Sequence, residues 1–220
     1  MLFPWQKEQI KRSNRFKRNN KILIEELKKQ GIVQNNILCA IEKVPRELFV
    51  EKKFIQQAYE NIPLPIDCGQ TISQPYIVAY MISQLKLKNT DKILEIGTGT
   101  GYQTAILSHL CREVCTIEIY NELLDRAQRR ITLLNLKNVN FKLGNGIEGW
   151  KKDILFDSII ISAVSEKIPT KLLENLKNEG SLIMPIKNIQ GDQKLILVKK
   201  NKKTILKKEL CNVKFVPLLN

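Results

Sequence analysis

The sequence predicts an α/β protein, a mostly parallel and doubly wound sheet with an antiparallel C-terminal strand and N-terminal helices. Three observations carry this. From Lys92 onward, near-continuous apolar strands alternate with helical stretches, the pattern of a parallel sheet covered on both faces. The first of those strands runs into a glycine-rich turn that feeds a helix. Beyond residue 190 the alternation stops, and two strands follow one another across a polar turn. One domain over 20–220 is expected, with a helical N-terminal part (20–90), a sheet core (91–220), and a basic extension at 1–19.

Each element has a local reason. Over 20–30, Ile22, Leu23, Ile24 and Leu27 mark a short basic amphipathic helix that stops at Gly31. A second helix carries Ile37, Leu38, Ile41 and Val44 and ends before Pro45. Residues 60–75, with Pro63, Pro65, Gly69 and Pro75, read as an extended, turning connection. Pro75 then opens a third helix through Ile77, Val78, Tyr80, Met81 and Leu85. Parallel strands are expected at 93–96, 114–119, 139–143, 156–162 and 180–185. Helices are expected at 102–110, from Asn121 to about 134, and at 169–177. Strands at 194–199 and 205–218, joined by Asn201-Lys202-Lys203, make the antiparallel finish.

The charge is the unusual number: 36 Lys and Arg against 22 Asp and Glu, a net +14. Residues 1–30 hold nine bases and three acids, and 187–220 hold nine lysines and two acids. The stretch 31–186 has 18 bases and 17 acids, so the central body is close to neutral. A basic excess points first to nucleic acid or a membrane surface, but here it belongs to the two ends. No apolar run approaches the roughly 20 residues of a membrane span, and the opening residues lead into charge without the apolar core of a secretory signal. The five cysteines (39, 68, 111, 115, 211) are odd in number, and only Cys111 and Cys115 are close. The single histidine, His109, cannot complete a usual zinc set. These counts fit a cytoplasmic protein with reduced core thiols, no metal and no membrane partner. His109 is expected to sit structurally on a packed helix.

The strongest local signal is Leu94-Glu95-Ile96-Gly97-Thr98-Gly99-Thr100-Gly101-Tyr102. A strand ending in such a turn lets backbone approach a ligand at a helix N-terminus. Gly97, Gly99 and Gly101 give GxGxG, where a dinucleotide fingerprint has GxGxxG, so a nucleoside without a pyrophosphate suits the turn better. Glu118 ends the next strand, where an acid accepts hydrogen bonds from ribose hydroxyls. Glu95 is an acid inside an apolar strand: either an amine-bearing ligand lies close or the carboxylate projects into water at the strand end. Gly144-Asn145-Gly146 follows the third strand and fits a plain turn or a ligand loop equally well. In Gly69-Gln70-Thr71-Ile72-Ser73-Gln74-Pro75, helix capping is the default role for Ser73 or Thr71.

At these residues the chain resembles a family, the protein-L-isoaspartate (D-aspartate) O-methyltransferases, in their bacterial branch. The matching stretches are VPRELFV from Val44, NIPLPI from Asn61, GQTISQP from Gly69, and LEIGTGTGYQTAIL from Leu94. Ile168-Pro169 and Phe215-Val216-Pro217-Leu218 continue the match. The glycine turn is common among methyltransferases, whereas GQTISQP is specific to this family. The resemblance implies a Rossmann-like methyltransferase with S-adenosyl-L-methionine as methyl donor and no metal. It implies the carboxylate of L-isoaspartyl or D-aspartyl residues in damaged proteins as acceptor, and repair through a succinimide. It assigns the active-site role to Ser73. Gln70, Thr71 and Ile72 would lie against the donor, with Glu95, Gly97 and Gly99 on its methionine side and Thr98 and Gly101 also binding it. Glu118 would hold the ribose, and Asn145 and Gly146 would belong to the same pocket. Asn145 stands where the family usually has Asp, and Ala163-Val164-Ser165 replaces an Ala-Ala-Pro-like stretch.

The chemistry agrees with the residues present. A carboxylate ionises near pH 4 and is already a nucleophile at neutral pH, so scarcity of histidine is no obstacle. Three rival readings have less support. An RNA or DNA base methyltransferase would want Asn/Asp-Pro-Pro-aromatic after the fourth strand, and Ser162-Ala163-Val164-Ser165 stands there. A non-catalytic reader with a basic surface finds support only in Asn145. The GxGxG spacing disfavours an NAD-dependent oxidoreductase. Isoaspartyl proteins are the expected partners, nucleic acid is disfavoured, and a monomer is expected.

Overall fold

The computed structural model describes residues 4–202 and 204–219, with side chains from residue 15 onward. Residues 1–3, the side chains of 4–14 in the basic stretch, and Lys203 of the expected hairpin turn lie outside the described residues. Helix α1 runs Pro4–Lys29, so it begins well before residue 20 and crosses residue 19 without a break. Its inner face is set by Leu23 and Leu27, both fully buried, and the buried Asn20 amide donates to the Glu42 carbonyl at 3.0 Å. The helix stops as the sequence predicts. Gly31 takes a left-handed φ of 95°, its N–H donates to Lys28, and the Ile32 N–H reaches back to Leu27.

Helix α2 (Asn35–Lys43) and helix α3 (Pro75–Leu85) follow, the latter opened by Pro75 in its first turn. Between them the extended connection contains two short strands, β1 (Leu64–Pro65) and β2 (Thr71–Ile72), paired antiparallel. This small ladder folds the GQTISQP segment back beside the Pro63–Pro65 turn.

The main sheet has seven strands: β3 (Lys92–Ile96), β4 (Glu113–Glu118), β5 (Val139–Leu143), β6 (Phe156–Ile161), β7 (Leu176–Lys187), β8 (Gln193–Lys200) and β9 (Ile205–Asn212). Their order is β5-β4-β3-β6-β7-β8-β9. The first five are mutually parallel, and β8 and β9 add antiparallel pairings. Helices α4 (Tyr102–Ser108), α5 (Asn121–Leu133) and α6 (Thr170–Glu174) form the crossovers. Alternation along the strands divides the core. Ile93, Val114, Ile160 and Ile183 pack with α1 to α4, while Leu94, Ile96, Cys115, Ile117, Ile159 and Ile161 pack toward Leu172 of α6. Because the chain moves outward from β3 on both sides, the carboxyl ends of β3 and β6 flank a topological switch point, where open α/β sheets bind ligands. Among the described residues no helix is long and apolar enough to cross a membrane.

Three further boundaries differ from expectation for identifiable reasons. The expected helix 169–177 is cut to Thr170–Glu174, because the buried Asn175 ends it. Its side chain accepts from Trp150 N and donates to the carbonyls of Lys151 and Ile154. Strand β7 therefore starts at Leu176, and its register shifts between the pairs Leu176–Phe156 and Ser181–Ser158. The extra residues bulge through Glu179, whose φ is 62°. The last strand ends at Asn212 and does not reach 218; the chain then leaves the sheet edge and lies against Val164. His109 is also corrected: it is exposed at the C-terminal cap of α4, outside the packed core.

Candidate active site

The turn after β3 is built from left-handed glycines, with φ of 91° at Gly97, 54° at Gly99 and 87° at Gly101. The three do different work. Gly97 and Gly99 line the cavity. A Cβ on Gly101, by contrast, would stand 3.2 Å from the Ala127 Cβ, so this residue lets the start of α4 pack against α5. At the end of β4, the nearly buried Glu118 accepts from Gly99 N at 2.8 Å through Oε2. Its Oε1 accepts from Ile119 N at 2.9 Å and Tyr120 N at 3.1 Å. Three backbone donors thus orient one carboxylate, and Oε2 keeps a lone pair for a ligand hydroxyl.

Glu95 departs from both sequence readings. It neither projects into water nor lines the cavity. It shares the face of Ile93 on β3 and is fully buried under α4. Thr104 Oγ1 donates to it at 2.5 Å, Thr116 Oγ1 at 2.7 Å and Gln103 Nε2 at 2.9 Å. Burial pushes its pKa up to about 7, against the opposing pull of those hydrogen bonds. Gln103 also donates to Ser162 Oγ at 3.0 Å and itself lines the cavity, and Thr116 shares a 2.6 Å hydrogen bond with Thr98 on the wall, so Glu95 meets the site through these two side chains.

The loop after β5 both turns and borders the cavity. Gly144 and Gly146 line the cavity. A Cβ on Gly146 would fall 2.2 Å from Ile96 Cγ2, so only glycine fits. Asn145 is not on the wall; its Oδ1 accepts from Ile147 N at 2.8 Å and starts a single helical turn.

Across the N-terminal part, Gln70, Thr71, Ile72 and Ser73 all line the same cavity. Neither hydroxyl caps α3: the cap is Gln74, with no side-chain cap bond. Gln74 instead donates to the Asn61 carbonyl at 2.8 Å, and Asn61 Oδ1 accepts from Tyr76 N at 2.9 Å. The fully buried Arg46 completes the stitching, with Nη1 donating to the Ser73 carbonyl at 3.1 Å and Nη2 to the Ile62 carbonyl at 3.2 Å. Three motifs distant in sequence thereby converge on one loop.

The cavity holds about 510 Å³, within the range of small-molecule sites. Of the predicted residues, Gly97, Thr98, Gly99, Glu118 and Gly146 join the Gln70–Ser73 stretch on its wall, whereas Glu95, Gly101 and Asn145 do not. The sequence reading missed the C-terminal wall. The end of β9 at Asn212 and residues 213–219 beyond it border the cavity, held by two backbone bonds to Val164 and by Gln193, which pairs with both polar groups of Phe215. It also missed Arg46 and Gln103; a lone arginine amid Val44, Leu48 and Phe49 was the available signal. Among the described residues no group of three or more His, Cys, Asp or Glu is placed to hold a metal.

A family model described as protein-L-isoaspartate(D-aspartate) O-methyltransferase matches residues 17–220. A protein-L-isoaspartate O-methyltransferase of Parvibaculum lavamentivorans is 47% identical over 199 residues, 90% of each chain. One from Dictyoglomus turgidum is 47% identical over 93% of this chain and 92% of its own. Among solved structures, a chain titled protein-L-isoaspartate O-methyltransferase superposes with a TM-score of 0.85 at 28% identity, covering 91% of this chain and 66% of its own. A Plasmodium falciparum chain described in the same terms, in complex with S-adenosyl-L-homocysteine, gives 0.80 at 26% identity over 91% and 98%. The chain belongs to the protein-L-isoaspartate (D-aspartate) O-methyltransferase family.

Proposed function

We propose that this enzyme transfers the methyl group of S-adenosyl-L-methionine to the free carboxylate of L-isoaspartyl residues, and of D-aspartyl residues, in damaged proteins. The observation that carries the reading is that the glycine turn, Glu118 and Ser73 share one cavity. The residues fit the donor. Backbone at Gly97 and Gly99 lies open to close approach, Glu118 retains an acceptor for a ribose hydroxyl, and the volume suits a nucleoside. When bound, the donor supplies an electrophilic methyl on a sulfonium.

The chain's own part is placement. Ser73 orients the acceptor carboxylate by hydrogen bond; the carboxylate is ionised at neutral pH, so no general base is required. Gln70, Thr71 and Ile72 separate donor from solvent, and the 212–219 segment closes another side against water. One carboxylate oxygen gains the methyl as the carbon–sulfur bond breaks. A backbone amide nitrogen of the peptide then displaces methanol from the ester, closing a succinimide without the enzyme, and hydrolysis returns part of it as normal aspartate. We place the enzyme in the cytoplasm as a monomer acting on proteins and peptides. Support comes from its five cysteines, all unpaired as a reducing compartment keeps them. Labelled donor should yield a base-labile methyl ester on an isoaspartyl peptide; label entering RNA in its place would overturn the reading.

A further inference from the structure

Arg46 is an anomaly of the fold. It is fully buried, and among the described residues no carboxylate pairs with it. Neither its Nε–H nor the neighbouring Tyr102 hydroxyl has a hydrogen bond of good geometry, and the two groups meet only each other electrostatically. A buried cation without a counter-ion is costly, and a leucine or methionine of similar length would pack there without that penalty. What the guanidinium gains is a fork. One arm holds the Ser73 carbonyl at 3.1 Å, the other the Ile62 carbonyl at 3.2 Å, and its Cζ lies over the Tyr102 ring, 4.9 Å from the ring centre. Tyr102 is the first residue of α4, immediately after the glycine turn, and lines the cavity, as do Pro63 and Ser73. The fork therefore touches the acceptor loop, the turn beside it and the donor helix at once.

We propose that Arg46 is a positioning residue for methyl transfer, fixing the Ser73 backbone, and with it the Ser73 hydroxyl, relative to the donor side of the cavity. The inference rests on the proposed function and deepens it. Lysine keeps the charge but offers a single ammonium, which can hold one carbonyl and not both, and it lacks a planar face for Tyr102. The cost of losing the fork should therefore fall on chemistry with the peptide and not on donor affinity, because Arg46 reaches the donor side only through the Tyr102 ring.

The test uses the full-length chain, with S-adenosyl-L-homocysteine affinity, kcat and KM for an isoaspartyl peptide, and thermal melting measured together. Arg46→Lys is expected to melt as a folded protein, to bind S-adenosyl-L-homocysteine within about twofold of wild type, and to lose about tenfold or more in kcat/KM. Ser73→Ala is expected to slow transfer and spare that affinity. In the Ser73→Ala background, Arg46→Lys should cost no more than about threefold, because the group it positions is already gone. Should Arg46→Lys fail to fold, Arg46→Gln, a neutral donor, serves in its place with the same expectations. Wild-type kcat/KM in a folded variant, an equal loss of S-adenosyl-L-homocysteine affinity, or losses that multiply in the double variant would each overturn the proposal. A wild-type chain that leaves the peptide unmethylated contradicts the functional reading itself, which separates the two failures.

Discussion

Gly99 donates its backbone N–H to Glu118 Oε2 at 2.8 Å, tying the glycine turn to the end of the neighbouring strand β4. The two residues are 19 apart in sequence and belong to adjacent parallel strands' exits, so the carboxylate braces the turn before any ligand arrives. With Oε1 occupied by two further N–H donors, the ligand meets an acid of fixed orientation.

Glu118→Ala is therefore expected to weaken S-adenosyl-L-homocysteine binding by about tenfold to 100-fold, the range for losing a charge-assisted hydrogen bond together with the brace. Calorimetry on the purified chain checks this. Affinity unchanged within twofold would mean that the acid serves only the turn.

Gly146 has no room for a side chain. A Cβ there would sit 2.2 Å from Ile96 Cγ2, in strand β3, so Gly146→Ala must push the β5 loop away from the sheet. The expected cost is about 1–3 kcal/mol, the usual range for overpacking. In a chain of this size that lowers Tm by roughly 2–12 °C, with weaker donor binding alongside. A thermal melt and a binding titration on the same sample report both.

Glu95 gives the stability a pH dependence of definite sign. Its carboxyl ionises near 4.5 when exposed and at about 7 in the fold. Below 4.5 both states hold the proton, and between 4.5 and 7 the unfolded chain releases it first. Stability is thus lost as pH rises through this window and is level above 7, by about 3 kcal/mol at most. Glu95→Gln removes the titration, so its Tm relative to wild type should be higher at pH 8 than at pH 5 by about 5 °C. Equal differences at the two pH values would contradict the assignment.

Much of this architecture was legible because its signals are local. Gly31 with Ile32, Pro75 at a helix start, and the apolar runs of β3 and β6 each carry their own reason in adjacent residues. The glycine turn and GQTISQP pointed at the cavity they line. What escaped depends on partners far along the chain. Whether Glu95 faces water or helix is decided by Thr104 and Thr116. The early end of α6 is decided by an Asn175 side chain reaching back to residues 150–154. The departure of the chain from β9 follows from Val164 and Gln193 offering it hydrogen bonds. The net +14 proved the least informative feature, since Lys214 is the single charged base on the cavity wall among the described residues and Glu118 the single acid.

The central claim is that the cavity joins a donor turn to an acceptor site selective for a displaced carboxylate. The most direct measurement compares two peptides of identical sequence, one with L-isoaspartate and one with normal L-aspartate at the same position, incubated with methyl-labelled S-adenosyl-L-methionine. Label is expected on the isoaspartyl peptide and none above background on its twin. Equal labelling of both, or of neither while donor binding is intact, would contradict it.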